Sequence, residues 1–97
     1  MEKLEKLAKT LGALSHPLRL RIIALLGGGE MYLSEIANHL GVSRALTKIH
    51  LKKLEKNGLV RSKIVLVEGE ARALRYYTLQ DFDIHVTPKL LAEMRGD

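Results

Sequence analysis

The sequence predicts a mainly α-helical domain with a β-hairpin behind its fourth helix. Three observations lead there. Apolar residues recur at helical spacing from Leu4 to Leu54, punctuated by Pro17 and by glycines. After Gly58 the pattern changes to two aliphatic and β-branched runs, 59–67 and 74–79, with Glu68-Gly69-Glu70-Ala71 between them as a turn. No repeat or low-complexity tract divides the 97 residues, so a single domain, 1–97, is expected.

Each element has its own signal. In residues 2–14, Leu4, Leu7, Leu11 and Leu14 form a stripe on one helix face, with Lys3, Glu5, Lys6 and Lys9 on the other. A second helix starts at His16-Pro17, since proline lacks an N–H that would be unpaired there anyway. His16 is expected to cap it, and Gly27-Gly28-Gly29 to end it with a left-handed glycine. Met31-Tyr32-Leu33 reads as a very short strand. A third helix follows with Ser34 as its expected cap, Glu35 in its first turn, and Ile36, Ala37 and Leu40 on its buried edge. Gly41 breaks it. Ser43 caps a fourth helix over 44–57, which Asn57-Gly58 closes. Residues 82–86 alternate as a strand would, with Phe82, Ile84 and Val86 on one side. Thr87-Pro88 then opens a short last helix.

Composition narrows the function. There is no cysteine, which excludes disulfides, zinc–thiolate sites and thiol redox chemistry. No apolar run approaches the ~20 residues needed to span a bilayer, and no signal-peptide pattern opens the chain, so a cytoplasmic protein without a membrane partner is expected. The net charge is +5. Residues 41–75 hold nine basic residues against three acidic ones, so this stretch carries the whole positive excess. Charge alone fits either a solvated lysine-rich surface, as in proteins of hot environments, or a footprint for phosphate.

The local pattern decides between them. In LSEIANHLGVSRALTKIHLKKLEKNGLV (33–60) two short helices flank a tight turn. Ala37 must be small where the helices cross, Gly41 takes the turn conformation, and Val42 fills the space between them. Leu51 and Leu54 anchor the second helix. This is a helix-turn-helix, and the hairpin behind it makes it winged: a three-helix core, a wing, and flanking helices for dimerisation.

With those residues in view, the chain resembles the ArsR-type winged helix-turn-helix transcription regulators, of the archaeal kind. LGALSHPLRLRIIALL is similar to that family's opening helix pair, 33–60 to its helix-turn-helix, and ARALRYYTL to its returning wing strand. The resemblance covers most of residues 11–79. It implies a homodimer that binds double-stranded DNA near promoters, with helix 43–57 in the major groove and hairpin 59–79 beside it on the backbone or minor groove. Many members of that family sense metals through cysteines, which this chain lacks.

The residues themselves suggest the same mechanism. A helix enters the major groove with its first turn nearest the bases. That turn supplies Ser43, Arg44, Ala45, Thr47 and Lys48. Arg44 is expected either to read guanine or to clamp a phosphate; Ser43 serves the cap and a phosphate alike. Thr47 shares a helix face with Leu51 and Leu54, so an inward position competes with a DNA contact. Lys48 and Lys52 point outward toward phosphates, whereas Lys53 and Lys56 fit a solvated surface equally well. Lys63, Arg72 and Arg75 are the wing's candidates, although Glu68 and Glu70 oppose deep insertion of its tip. Leu46 and Ile49 lie off the buried face; wrapping by the core is the favoured explanation, contact with a thymine methyl the other. His50 reads as a hydrogen-bonded packing residue.

For dimerisation the candidates are Leu4, Leu7, Leu11 and Leu14, joined by Leu90, Leu91 and Met94 of the last helix. Asp81, Asp83 and His85 alternate and on paper suit a cation, but a solvated polar face is far commoner. No cofactor or metal site is expected, and no small-molecule effector is identifiable. No nucleophile–base set, paired carboxylates or phosphate-binding glycine loop points to an enzyme. The competing class is a winged helix that binds proteins or serves a structural role, for which the basic 41–75 stretch has no use.

Overall fold

The computed structural model describes residues 2–69 and 72–96. In chain order the elements are α1 (Glu2–Leu14), α2 (Pro17–Leu26), β1 (Met31–Tyr32), α3 (Leu33–Leu40), α4 (Arg44–Lys56), β2 (Val60–Leu66), β3 (Ala73–Leu79) and α5 (Pro88–Met94). This is a winged helix-turn-helix. The strands form an antiparallel sheet in the order β1-β3-β2, with Val60 opposite Leu79 and Ile64 opposite Arg75 in the hairpin, and Met31 opposite Tyr77 at the short strand. Glu70 and Ala71 of the expected turn lie outside the described residues.

The core gathers one apolar face from each central element. Ile22 and Leu26 of α2, Ile36, Ala37 and Leu40 of α3, Leu51 and Leu54 of α4, and Leu59, Val60 and Tyr77 of the sheet are all buried. Burial at this level contributes about 1.5–3 kcal/mol for each large aliphatic side chain. Gly41 sits at φ 70°, the left-handed conformation the tight turn requires, and its N–H donates to the Ala37 carbonyl at 2.9 Å. Val42 packs half-buried against the same cluster.

The ends of the helices follow local chemistry. His16 Nδ1 accepts from the Leu18 N–H at 3.1 Å, and Thr87 Oγ1 from the Leu90 N–H at 3.0 Å. Two expectations, the Ser34 cap and the 82–86 strand, are corrected. Ser34 is not the cap of α3: the helix begins at Leu33, and the Glu35 carboxylate instead accepts the Tyr32 N–H at 3.1 Å. The glycine run does end α2: Gly27 keeps a right-handed conformation (φ −61°), and the expected positive φ falls at Gly29 (φ 127°). Residues 82–86 are not a strand. Among the described residues they pair with no strand, and Phe82 and Val86 stay exposed.

Candidate nucleic-acid interface

The first turn of α4 is built by Ser43, whose Oγ accepts the Leu46 N–H at 3.0 Å. No acidic residue stands in that turn, so the positive end of the helix dipole and the Arg44 guanidinium add to one another. Ser43, Arg44, Ala45, Lys48 and Lys52 are all exposed. Thr47 is not part of this surface: its side chain is fully buried, and its hydroxyl donates back to the Ser43 carbonyl at 2.9 Å. The inward reading is the correct one for Thr47, because it falls on the arc of Leu51 and Leu54.

The wing closes a groove along α4. One cavity of about 300 Å³ is lined by residues that include Arg44, Lys48, Ile64 and Arg75; a neighbouring one of about 310 Å³ is lined by Lys48, Lys52, Glu55, Arg75 and Tyr77. Arg75 is held by a relay between the wing and α4. Its Nη1 donates to Ser62 Oγ at 3.1 Å, and that hydroxyl donates to Glu55 Oε2 at 2.7 Å. The sequence reading missed Ser62 and Glu55 as positioning residues; the signal would have been their meeting across the register, which requires the fold.

Lys63 is not in this groove. Alternation along the hairpin places Ser62 and Ile64 on the face of Val60 and Tyr77, toward α4, and Lys63 with Tyr76 on the opposite face. There its ammonium pairs with Glu30 at 3.1 Å, beside the edge-on Tyr32–Tyr76 ring pair. Arg72 precedes β3 near the wing tip and does not line the groove.

Core wrapping does not explain Leu46 and Ile49. Leu46 is 38% and Ile49 64% exposed, Ile49 lying between Lys48 and Lys52 in the helix sequence on its outward side. Two large aliphatic side chains beside unpaired cations give α4 an outer face of mixed character. Arg44, Lys48 and Lys52 form no ion pair among the described residues.

Behind α4 lies a polar knot that the sequence reading only half anticipated. His50 is 7% exposed and packs against His16, with ring centroids 4.4 Å apart. Arg19, unremarked in the sequence, joins three helices. Its Nε donates to the Ala13 carbonyl at 2.6 Å, its Nη2 to the Gly12 carbonyl at 3.3 Å, and its Nη1 to His50 Nδ1 at 3.0 Å. Arginine has no acceptor, so Nδ1 of His50 carries no proton and the ring is neutral. Burial, then His16 and Arg19, push the His50 pKa below its ordinary value.

The leucine stripe is only partly covered by its own chain. Ala13 is the one buried residue among the described residues of α1, and it lies on the side away from the stripe. Leu4, Leu7 and Leu14 are half-buried and Leu11 is exposed; on α5, which packs beside α1, Leu90 and Met94 are half-buried and Leu91 is exposed. His85 Nε2 lies 2.9 Å from Asp83 Oδ1 on the exposed surface, and among the described residues no three potential ligands gather as a metal site.

A tri-helical core whose second helix-turn-helix helix stands clear, flanked by a wing and by unpaired cations, defines a DNA-binding domain of the transcription-regulator class. Comparison with known proteins assigns the family. Residues 14–63 match the family described as a helix-turn-helix domain. The chain is 35% identical over 92 residues to an HTH-type transcriptional regulator of the archaeon Methanocaldococcus jannaschii, covering 95% of each protein. This chain therefore belongs to the helix-turn-helix family of transcription regulators, which is not a family of enzymes. Among solved structures it is similar to the homodimeric winged helix-turn-helix DNA-binding domain of a possible ArsR-family regulator from Mycobacterium bovis. That match has a TM-score of 0.69 and 25% identity, over 98% of this chain and 76% of the other. It is likewise similar to HlyU from Vibrio cholerae, with a TM-score of 0.69 and 28% identity over 100% of both chains. No helix among the described residues is long and apolar enough to cross a membrane.

Proposed function

We propose that this protein is a homodimeric, sequence-specific regulator that binds double-stranded DNA in the cytoplasm. The amino end of α4 enters the major groove, and the wing lies against the backbone or minor groove. The observation that carries this reading is the groove between α4 and the wing, where Arg44, Lys48, Lys52 and Arg75 converge. In it Arg44 contacts base edges, while Lys48, Lys52 and Arg75 neutralise phosphates. Ser43 adds a hydroxyl at the helix cap, and Ala45 leaves room for a close approach. Ile49 and Leu46 supply the apolar contact that a thymine methyl takes. Arg72 reaches the flanking backbone from the wing tip.

Dimerisation uses the stripe Leu4, Leu7, Leu11 and Leu14 together with Leu90, Leu91 and Met94. The partial exposure of that stripe supports it, as does the homodimeric state of the M. bovis relative. A two-fold dimer presents its two α4 helices to half-sites roughly 34–36 Å apart. Selection of bound duplexes from a random pool at near-physiological salt tests the whole reading. A symmetric motif with that spacing is expected. Failure to enrich any sequence, with no affinity for duplexes of any kind, would leave the exposed face of α4 to a protein partner instead.

A further inference from the structure

A cavity of about 330 Å³ lies between the carboxyl ends of α1 and α4, lined by Lys9, Gly12, Arg19, Lys53, Lys56 and Asn57. That volume is at the lower end of the range for small-molecule sites. Among the described residues, four cations and no carboxylate line it. None of the four makes an ion pair among the described residues. Like charges gathered in a partly enclosed space repel, and the enclosure weakens the screening that open water provides. Cations at helix carboxyl ends complement the helix dipole. That accounts for Lys53 and Lys56 in the last turn of α4, not for Lys9, which precedes the last turn of α1, or for Arg19 of α2.

Arg19 is the fixed member. The carbonyls of Gly12 and Ala13 and the ring of His50 take three of its five guanidinium N–H groups, so two remain. Lys9, Lys53 and Lys56 are exposed and stand around it. None of the residues lining this cavity lines the groove beside the wing. Lys9 and Gly12 also sit on the side of α1 that bears buried Ala13, not on the leucine stripe.

We propose that this cavity binds a small polyphosphate chain, free or as part of a nucleotide. Arg19 supplies a directed pair of donors, and the three lysines spread charge along the chain. The bound anion joins the helix that carries the leucine stripe to the helix that carries the DNA face.

The test is calorimetric titration of the full chain with tripolyphosphate and, separately, ATP, at constant ionic strength and without DNA. One site per chain is expected, with ATP tighter than tripolyphosphate only if the base adds contacts. The Lys53→Ala/Lys56→Ala double variant should lose about tenfold or more in affinity. The Lys48→Ala/Lys52→Ala double variant, of equal charge change, should bind the anion as the parent does. All four are exposed lysines, so folding is preserved, and an unshifted thermal midpoint checks this. No binding by the parent, or equal losses in both double variants, would overturn the proposal, the latter by showing diffuse attraction instead of a site. Because DNA is absent, the outcome is independent of the DNA-binding reading.

Discussion

Arg44 stands exposed in the first turn of α4, where the helix dipole and the guanidinium reinforce one another. Arg44→Ala is expected to weaken binding to the selected duplex by about 1–3 kcal/mol and to relax preference at one base pair. Equal losses on selected and random duplexes, measured side by side, would reassign it to a phosphate. Ile49→Ala should alter the selected motif at a thymine and leave the salt dependence unchanged. His50 makes a pH-dependent contribution to stability. Its pKa in the folded state lies below the ordinary value of 6.5. The unfolded chain therefore takes up the proton first, so the contribution is complete above that value and is lost as the pH falls through it. Urea unfolding between about pH 7 and about pH 5 should show a decline that His50→Gln flattens. Parallel curves for parent and variant would remove His50 from the account.

At the scale of elements, the two sides of α1 differ in what covers them. Its small residues meet the domain, with Arg19 clasping the carbonyls of Gly12 and Ala13, while its leucine stripe is left half-buried at Leu4, Leu7 and Leu14 and exposed at Leu11. Leu7→Glu and Leu11→Glu should each yield monomers by sedimentation, because a carboxylate buried in an apolar seam has no partner. A dimer that survives both changes would place the interface elsewhere. The turn between α3 and α4 depends on Gly41 for its conformation. An added Cβ there meets nothing within 4 Å, so Gly41→Ala isolates the cost of the left-handed backbone. A loss of about 1 kcal/mol in unfolding free energy is expected. The wing is attached to α4 by the Glu55–Ser62–Arg75 relay. The relay holds Arg75 in the groove, while strand alternation turns Lys63, one residue along the neighbouring strand, to the opposite face.

For the molecule as a whole, affinity rests on how many phosphates its cations neutralise together. Lys52→Ala should weaken binding to every sequence and flatten the slope of log affinity against log salt by about one unit. An unchanged slope would remove Lys52 from the footprint. Residue order was enough for the helices, the hairpin, the caps at His16 and Ser43, the start of the last helix at Thr87-Pro88, and the outward turn of Lys48 and Lys52. All of these follow from spacing and from local hydrogen bonding within a few residues. It was also enough for the family, because the helix-turn-helix motif is contiguous in the chain. Tertiary structure alone decided the rest. It buried Thr47, exposed Leu46 and Ile49, sent Lys63 to Glu30, left 82–86 unpaired, and made Arg19 the tie between α1, α2 and α4. Each of these depends on which distant segment arrives opposite a given side chain, and periodicity along one element carries no information about that.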